Sequence, residues 1–172
     1  MGSPKTWILL LRAVNLGPTN KLPMKELRAL LEDLGHTEVR TVLNSGNATF
    51  TSSRTSAKEL AAEIEAALGA RLGLSVRACV RTQGQIAAAL ADVPDVPVYL
   101  TVGVLFDKPK PVALKAFLAT DWSPEVVSGN EQVLYLAFQN AAKTKLTNVK
   151  IEKALGVSCT ARTPATLQKL IA

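Results

Sequence analysis

Arg12 stands inside an apolar run, with Leu9-Leu10-Leu11 before it and Ala13-Val14 after it. A guanidinium held among apolar side chains must be met by a carboxylate, by carbonyl oxygens or by an anionic ligand. Asn15 and Lys21 follow in a polar loop, and Asn44-Ser45-Gly46-Asn47 adds amides, a hydroxyl and a glycine at one turn. Arg12, Asn15, Lys21, Asn44, Ser45, Gly46 and Asn47 therefore make a candidate ligand site. The chemistry they suit is recognition of a small anionic or phosphate-bearing molecule, with a planar cation, an ammonium and neutral hydrogen-bonding groups around it. A plain structural reading competes. Gly46 and Asn47 are ordinary hairpin residues, tolerant of left-handed backbone angles, and Arg12 can pair with an acidic residue such as Glu38.

A second basic set lies near the C-terminus. Lys145, Asn148, Arg162 and Thr163 form a possible anion-binding group, extended by Lys143, Lys150 and Lys153. Thr163 precedes a helix whose free amides attract anions, and Arg81-Thr82 has the same form earlier in the chain. The basic face also admits a nucleic-acid-binding module, although aromatic content is 5% and Phe138 is the only aromatic residue near this segment. A stacking platform for single strands is thus weakly supported.

The chain shows no carboxylate pair, nucleophile elbow or P-loop, and no Gly-x-Gly spacing, so whether it is an enzyme stays open and no cofactor is implied. Cys79 and Cys159 have no CxxC partner, and the single histidine, His36, has no cysteine nearby, so no metal site is expected. His36 follows the end of a helix and is expected in an exposed loop. The two cysteines read as buried reduced thiols of a cytoplasmic protein.

These residues need elements to hold them. Thr6 to Val14 reads as a buried strand, a helix opens at Pro23 and closes at Gly35, and Glu38 to Leu43 alternates as a half-buried strand does. The turn at Asn44–Asn47 leads into a strand from Ala48 to Ser52. Ser56 and Glu59 make a capping box before Leu60, Ile64 and Leu68. Gly73 ends that helix, Leu74 to Arg81 is a fourth strand, and a short helix runs from Thr82 to Leu90. The second half repeats the order: Val98 to Phe106, Val112 to Ala119, Glu125 to Val127, Gln132 to Phe138, Leu146 to Leu155, Val157 to Arg162, then a helix from Pro164 to Ile171. Two echoes support the repetition. Ser45-Gly46-Asn47 returns as Ser128-Gly129-Asn130, and Cys79-Val80-Arg81-Thr82 as Thr160-Ala161-Arg162-Thr163.

The expected fold is α+β. Two βαββαβ, ferredoxin-like halves each carry a trailing helix and are related by internal duplication, with residues 1–92 and 98–172 as subdomains and 93–97 as linker. In such a sheet the first and third strands are central neighbours running in opposite directions. The start of strand 3 then lies beside the end of strand 1, bringing Asn47 towards Asn15. Strand 2 is expected to run against both strands 1 and 3.

Net charge is +6, unevenly placed: residues 1–91 hold 11 basic and 7 acidic groups, 92–138 hold 3 and 6, and 139–172 hold 6 and 1. No apolar run approaches the roughly 20 residues that span a bilayer, and Arg12 interrupts the one short apolar run near the N-terminus, so neither a membrane partner nor a signal peptide is expected. Met1-Gly2 with Thr6 matches a loose myristoylation pattern that the following strand argues against, and Asn47-Ala48-Thr49 is a sequon without a secretory context.

Leu11-Arg12-Ala13-Val14-Asn15-Leu16-Gly17, the helix from Met24 to Gly35, Ser45-Gly46-Asn47 and Phe50 resemble a bacterial family, domain of unknown function 1697. The likeness continues through Lys145-Leu146-Thr147-Asn148, Ile151-Glu152, Leu155-Gly156, Thr160-Ala161-Arg162 and Thr166 to Leu170. Thr163-Pro164 stands where that family usually carries Asn-Trp. The resemblance implies an α+β fold with ferredoxin-like halves and brings no activity with it. The expected function is a binding domain for a small anionic ligand; the alternatives are a nucleic-acid-binding module or a protein-interaction scaffold without catalysis.

Overall fold

A computed structural model describes residues 2–172. The elements follow in the order β1 (Lys5–Leu11), α1 (Met24–Asp33), β2 (Thr37–Val42), β3 (Asn47–Ser52), α2 (Ala57–Leu72), β4 (Ala78–Thr82) and α3 (Gln83–Ala91). The second series is β5 (Tyr99–Leu105), α4 (Pro111–Ala119), β6 (Val126–Gly129), β7 (Val133–Phe138), α5 (Asn148–Leu155), β8 (Cys159–Arg162) and α6 (Pro164–Ile171). They form two separate four-stranded sheets, ordered β2-β3-β1-β4 and β6-β7-β5-β8, in which every neighbouring pair is antiparallel. Each half is thus β-α-β-β-α-β with a trailing helix, an α+β architecture. By internal contacts the chain divides into one unit up to Ala87 together with Gln168–Ala172, and another from Ala88 to Leu167.

In the first unit β1 is central, and Trp7 to Leu11 are all buried, so both faces of the strand are covered. Trp7, Leu9 and Leu11 join Ala48 and Phe50 of β3 in one apolar cluster. Leu27, Leu30 and Leu31 of α1 and Leu60, Ile64 and Leu68 of α2 close it at helical spacing. Each fully buried leucine contributes about 1.5–3 kcal/mol. Ser56 caps α2 by accepting a hydrogen bond from the Glu59 N–H at 3.2 Å, and left-handed Gly73 ends the helix. Arg40 of β2 donates to the Lys169 carbonyl at 3.1 Å, tying the chain's last turn to this unit.

Strand β1 stops at Leu11 instead of continuing to Val14, because Ala13 and Asn15 take left-handed backbone angles, φ 58° and 56°, that no strand accommodates. Strand β2 runs against β3 alone; it shares the direction of β1, with β3 between them. His36, expected in an exposed loop, is buried at 4% exposure and stacks on Phe50 with ring centroids 4.6 Å apart. The chain re-enters β2 directly after α1, which leaves the imidazole inside.

The second unit repeats the pattern around β5, with Phe117, Leu134, Leu136, Ile151 and Leu155 in its cluster. Tyr135 donates to the Ala89 carbonyl at 2.6 Å, and burial raises its phenol above the ordinary range. The connection before the first helix of each half differs. It spans twelve residues (12–23) between β1 and α1, and five (106–110) between β5 and α4.

The hydrogen-bond register separates the two sequence echoes. Leu11 N–H donates to Gly46 O in the first unit, and Leu105 N–H donates to Gln132 O in the second, both at 2.9 Å. Gly46 therefore corresponds to Gln132, and Ser128-Gly129-Asn130 lies three residues too early to be the counterpart of Ser45-Gly46-Asn47. The other echo is in register: Leu11 pairs with Ala78 and Leu105 with Cys159, which makes Arg81 the counterpart of Arg162.

Candidate functional site

The cluster expected around the end of β1 divides into a cleft and its foundation. In the foundation, Asn47 is fully buried, and its side-chain nitrogen donates to the Val42 carbonyl at 3.0 Å and to Ser45 Oγ at 2.9 Å. The amide spans the turn from within. Gly46 has φ +77°, and a Cβ there would lie 2.7 Å from both Leu11 Cβ and Val14 Cγ2. Backbone angle and close approach both require glycine. Arg12 is half-buried just past β1, where its N–H donates to the Arg77 carbonyl at 3.0 Å. Glu38, the acid expected to pair with Arg12, accepts from Thr51 Oγ1 at 2.8 Å.

Asn15 joins foundation to cleft. Its Oδ1 accepts the Leu22 N–H at 2.8 Å, while its Nδ2 donates to Leu22 O at 2.8 Å and to Asn44 O at 2.7 Å. One amide thus clamps both backbone groups of Leu22 and reaches across to the β2–β3 turn. The Asn15 N–H also donates to Asn20 O at 3.1 Å, closing the loop on itself. Ala13, Asn15, Asn20 and Leu43 all adopt φ between 51° and 58°. Four non-glycine residues in a sparsely populated region are gathered in one loop and one turn, and these hydrogen bonds hold Asn15 and Asn20 there directly.

The clamp sets the head of α1. Pro23 is the extended residue before the helix, one position earlier than the sequence suggests, and no side chain caps it. Its carbonyl accepts from Glu26 and Leu27 at 3.0 and 3.1 Å, so the amides of Met24 and Lys25 have no partner inside the helix. Beside this helix start lies a cleft of ≈ 430 Å³ lined by Asn15, Lys21, Leu22, Pro23, Met24 and Asn44. Lys21, exposed, carries the only charge among these six. The helix start and the ammonium both favour negative charge. Asn15, Lys21 and Asn44 are thus brought together, while Arg12, Ser45, Gly46 and Asn47 lie outside the lining. Leu22 and Met24 join the lining although their residue types carry no such signal; Pro23, which marks the helix start, is the one cue in the sequence.

The second set lies in the other unit. Lys145 and Asn148 are exposed at the start of α5, which Thr147 caps by accepting from Lys150 N–H at 3.3 Å. Arg162 is half-buried and donates to Thr160 Oγ1 at 2.7 Å and Ala161 O at 2.9 Å. Thr163 caps α6, with its Oγ1 accepting from Thr166 N–H at 3.3 Å. Cys79 and Cys159 are both buried. Among the described residues no group of three or more His, Cys, Asp or Glu side chains is placed to hold a metal ion. No helix among them is long and apolar enough to cross a membrane.

Fold and cleft together define an α+β protein of two ferredoxin-like units with a cleft of mixed polar and apolar lining at the head of its first helix. The model of the family described as protein of unknown function (DUF1697) matches residues 5–135, and the chain belongs to that family. Among solved structures, the chain is similar to the conserved bacterial protein SP0830 from Streptococcus pneumoniae. The TM-score is 0.77 at 21% identity, over 98% of each chain, a likeness of fold. No curated protein sequence matches the chain.

Proposed function

We propose that the protein binds a small anionic, phosphate-bearing ligand in the cleft at the head of α1. The observation that carries this reading is an uncapped helix start with Lys21 beside it, in a cleft whose loop is clamped by Asn15. Helix amides and an ammonium meet an anion with complementary charge, and a loop already fixed in place loses little entropy on binding. The strained angles of Ala13, Asn15, Asn20 and Leu43 agree with a site held open at a cost in stability. The cleft volume also falls within the range of small-molecule sites, about 300–1,000 Å³.

The test is a thermal-shift and calorimetric screen with inorganic phosphate, AMP and a sugar phosphate, on wild type and Lys21→Met. Lys21 is exposed, so the variant keeps its fold. A compound that stabilises wild type should lose most of its effect on Lys21→Met; a hit that binds both equally would place the site elsewhere. The exposed lysines Lys143, Lys145, Lys150 and Lys153 support a second reading, nucleic-acid binding through the start of α5. It requires retention on heparin at low salt that falls steeply as salt rises. Either activity fits a cytoplasmic protein with buried thiols; finding the native protein exported would contradict that setting.

A further inference from the structure

His36 is held by its surroundings more completely than its position after a helix suggests. Its backbone N–H donates to Leu31 O at 3.2 Å, and its ring lies against Phe50 of β3. The side chain is 1% exposed, and Nε2 sits 3.9 Å from Glu63 Oε2 on α2 with no hydrogen-bond partner among the described residues. Glu63 is engaged by Arg54, from the connection between β3 and α2, whose Nη1 donates to the same Oε2. Both partners of that ion pair are partly exposed, at 39% for Arg54 and 28% for Glu63. Three other charges of the packed elements have partners of their own, and Glu65 of α2 is one of them, accepting from Arg77 Nε at 3.1 Å. Asp33 of α1 pairs with Arg71 of α2 at 2.8 Å, and Glu38 of β2 is held by Thr51.

We propose that His36, Glu63 and Arg54 form a proton-operated switch where the end of α1 meets β3 and α2. A second proton on the imidazole makes Nε2 a charged donor aimed at Glu63 Oε2. Closing the gap from 3.9 Å to the roughly 2.8 Å of a charge-assisted hydrogen bond takes a movement of about 1 Å. The carboxylate oxygen that Arg54 holds is the one His36 reaches, so the two cations compete for it. Arg54 lies in a connection that also anchors the start of the chain: Arg54 N–H donates to Ser52 Oγ at 3.2 Å, and Gly2 N–H donates to Ser53 O at 2.9 Å. Weakening Arg54's hold loosens that connection, so a proton at a buried ring is read at an exposed loop. Burial lowers the imidazole from its ordinary 6.5, Glu63 raises it and Arg54 lowers it further, which places the event on the acid side of neutrality.

His36 is the only histidine in the chain, so its ring proton resonances are unambiguous in the full-length protein. Its titration is to be followed by NMR in wild type, Glu63→Gln and Arg54→Gln. The titration should move to lower pH in Glu63→Gln and to higher pH in Arg54→Gln, and the protection of the Arg54 guanidinium protons, relative to a free guanidinium at the same pH, should fall as His36 gains its proton in wild type. Coincident titrations in all three proteins would overturn the switch. So would an Arg54 signal indifferent to His36, or unfolding before His36 titrates.

Discussion

Replacing Asn15 by alanine removes three hydrogen bonds at once and leaves both backbone groups of Leu22 without their side-chain partner. Each such bond contributes about 0.5–1.5 kcal/mol net. The one to Asn44 is exposed, so the lower end of that range applies to it. Alanine must also hold φ near 56°, which costs a residue with a Cβ roughly 1–2 kcal/mol. Asn15→Ala should therefore destabilise by about 2.5–5.5 kcal/mol. Asn15→Gly loses the same bonds but accepts the backbone angle, and should cost about 1 kcal/mol less. Urea unfolding monitored by circular dichroism, with linear extrapolation, measures both. The melting temperature of a chain this size should fall by about 2–4 °C per kcal/mol. An Asn15→Ala variant within about 0.5 kcal/mol of wild type would refute the clamp. Equal losses in the two variants would refute the role of the left-handed angle.

Gly46→Ala should be costlier than Gly35→Ala. Both have positive φ, +77° and +87°, but a Cβ at Gly46 meets Leu11 and Val14 whereas one at Gly35 meets nothing within 4 Å. Overpacking adds about 1–3 kcal/mol at the first position, and equal losses in urea unfolding would dismiss the contact. Stability should also depend on acid through His36. Its folded-state pKa lies below the unfolded value, so the unfolded chain binds more protons in the window below 6.5. The contribution is fully present above 6.5 and is lost as pH falls towards the folded pKa, with a slope of at most about 1.36 kcal/mol per pH unit. Unfolding midpoints measured from pH 8 to 5 should fall in that window for wild type and stay flatter for His36→Phe; parallel curves would discount the histidine.

The fold was legible because its determinants are local. Alternation in Thr37–Val42, helical spacing of Leu27, Leu30 and Leu31, the Ser56 cap and the glycine stop at Gly73 each act within a few residues. Arg81 and Arg162 hold equivalent places because the edge strands that carry them pair with β1 and β5 in one register. The Ser-Gly-Asn echo misled because a triplet fits any hairpin, and only the sheet register reveals a shift of three residues. Burial of His36 depends on Phe50 and Glu63, distant in sequence, which no local pattern shows. The cleft depended on Asn15, whose side chain serves as a backbone partner for Leu22. Its residue type signalled hydrogen bonding, and only the folded loop reveals with what.

The unequal connections before α1 and α4, twelve residues against five, bear on how readily such a fold accommodates a longer loop. Loop-closure entropy grows only as the logarithm of length, so the longer connection costs roughly 0.8 kcal/mol more than the shorter one. One hydrogen bond from Asn15 offsets a penalty of that size. The second unit, with the short connection, is in effect the undecorated form of the same scaffold. A ferredoxin-like half can therefore accept a structured insertion at this corner almost without loss, provided one residue of the insertion fastens it to the helix that follows.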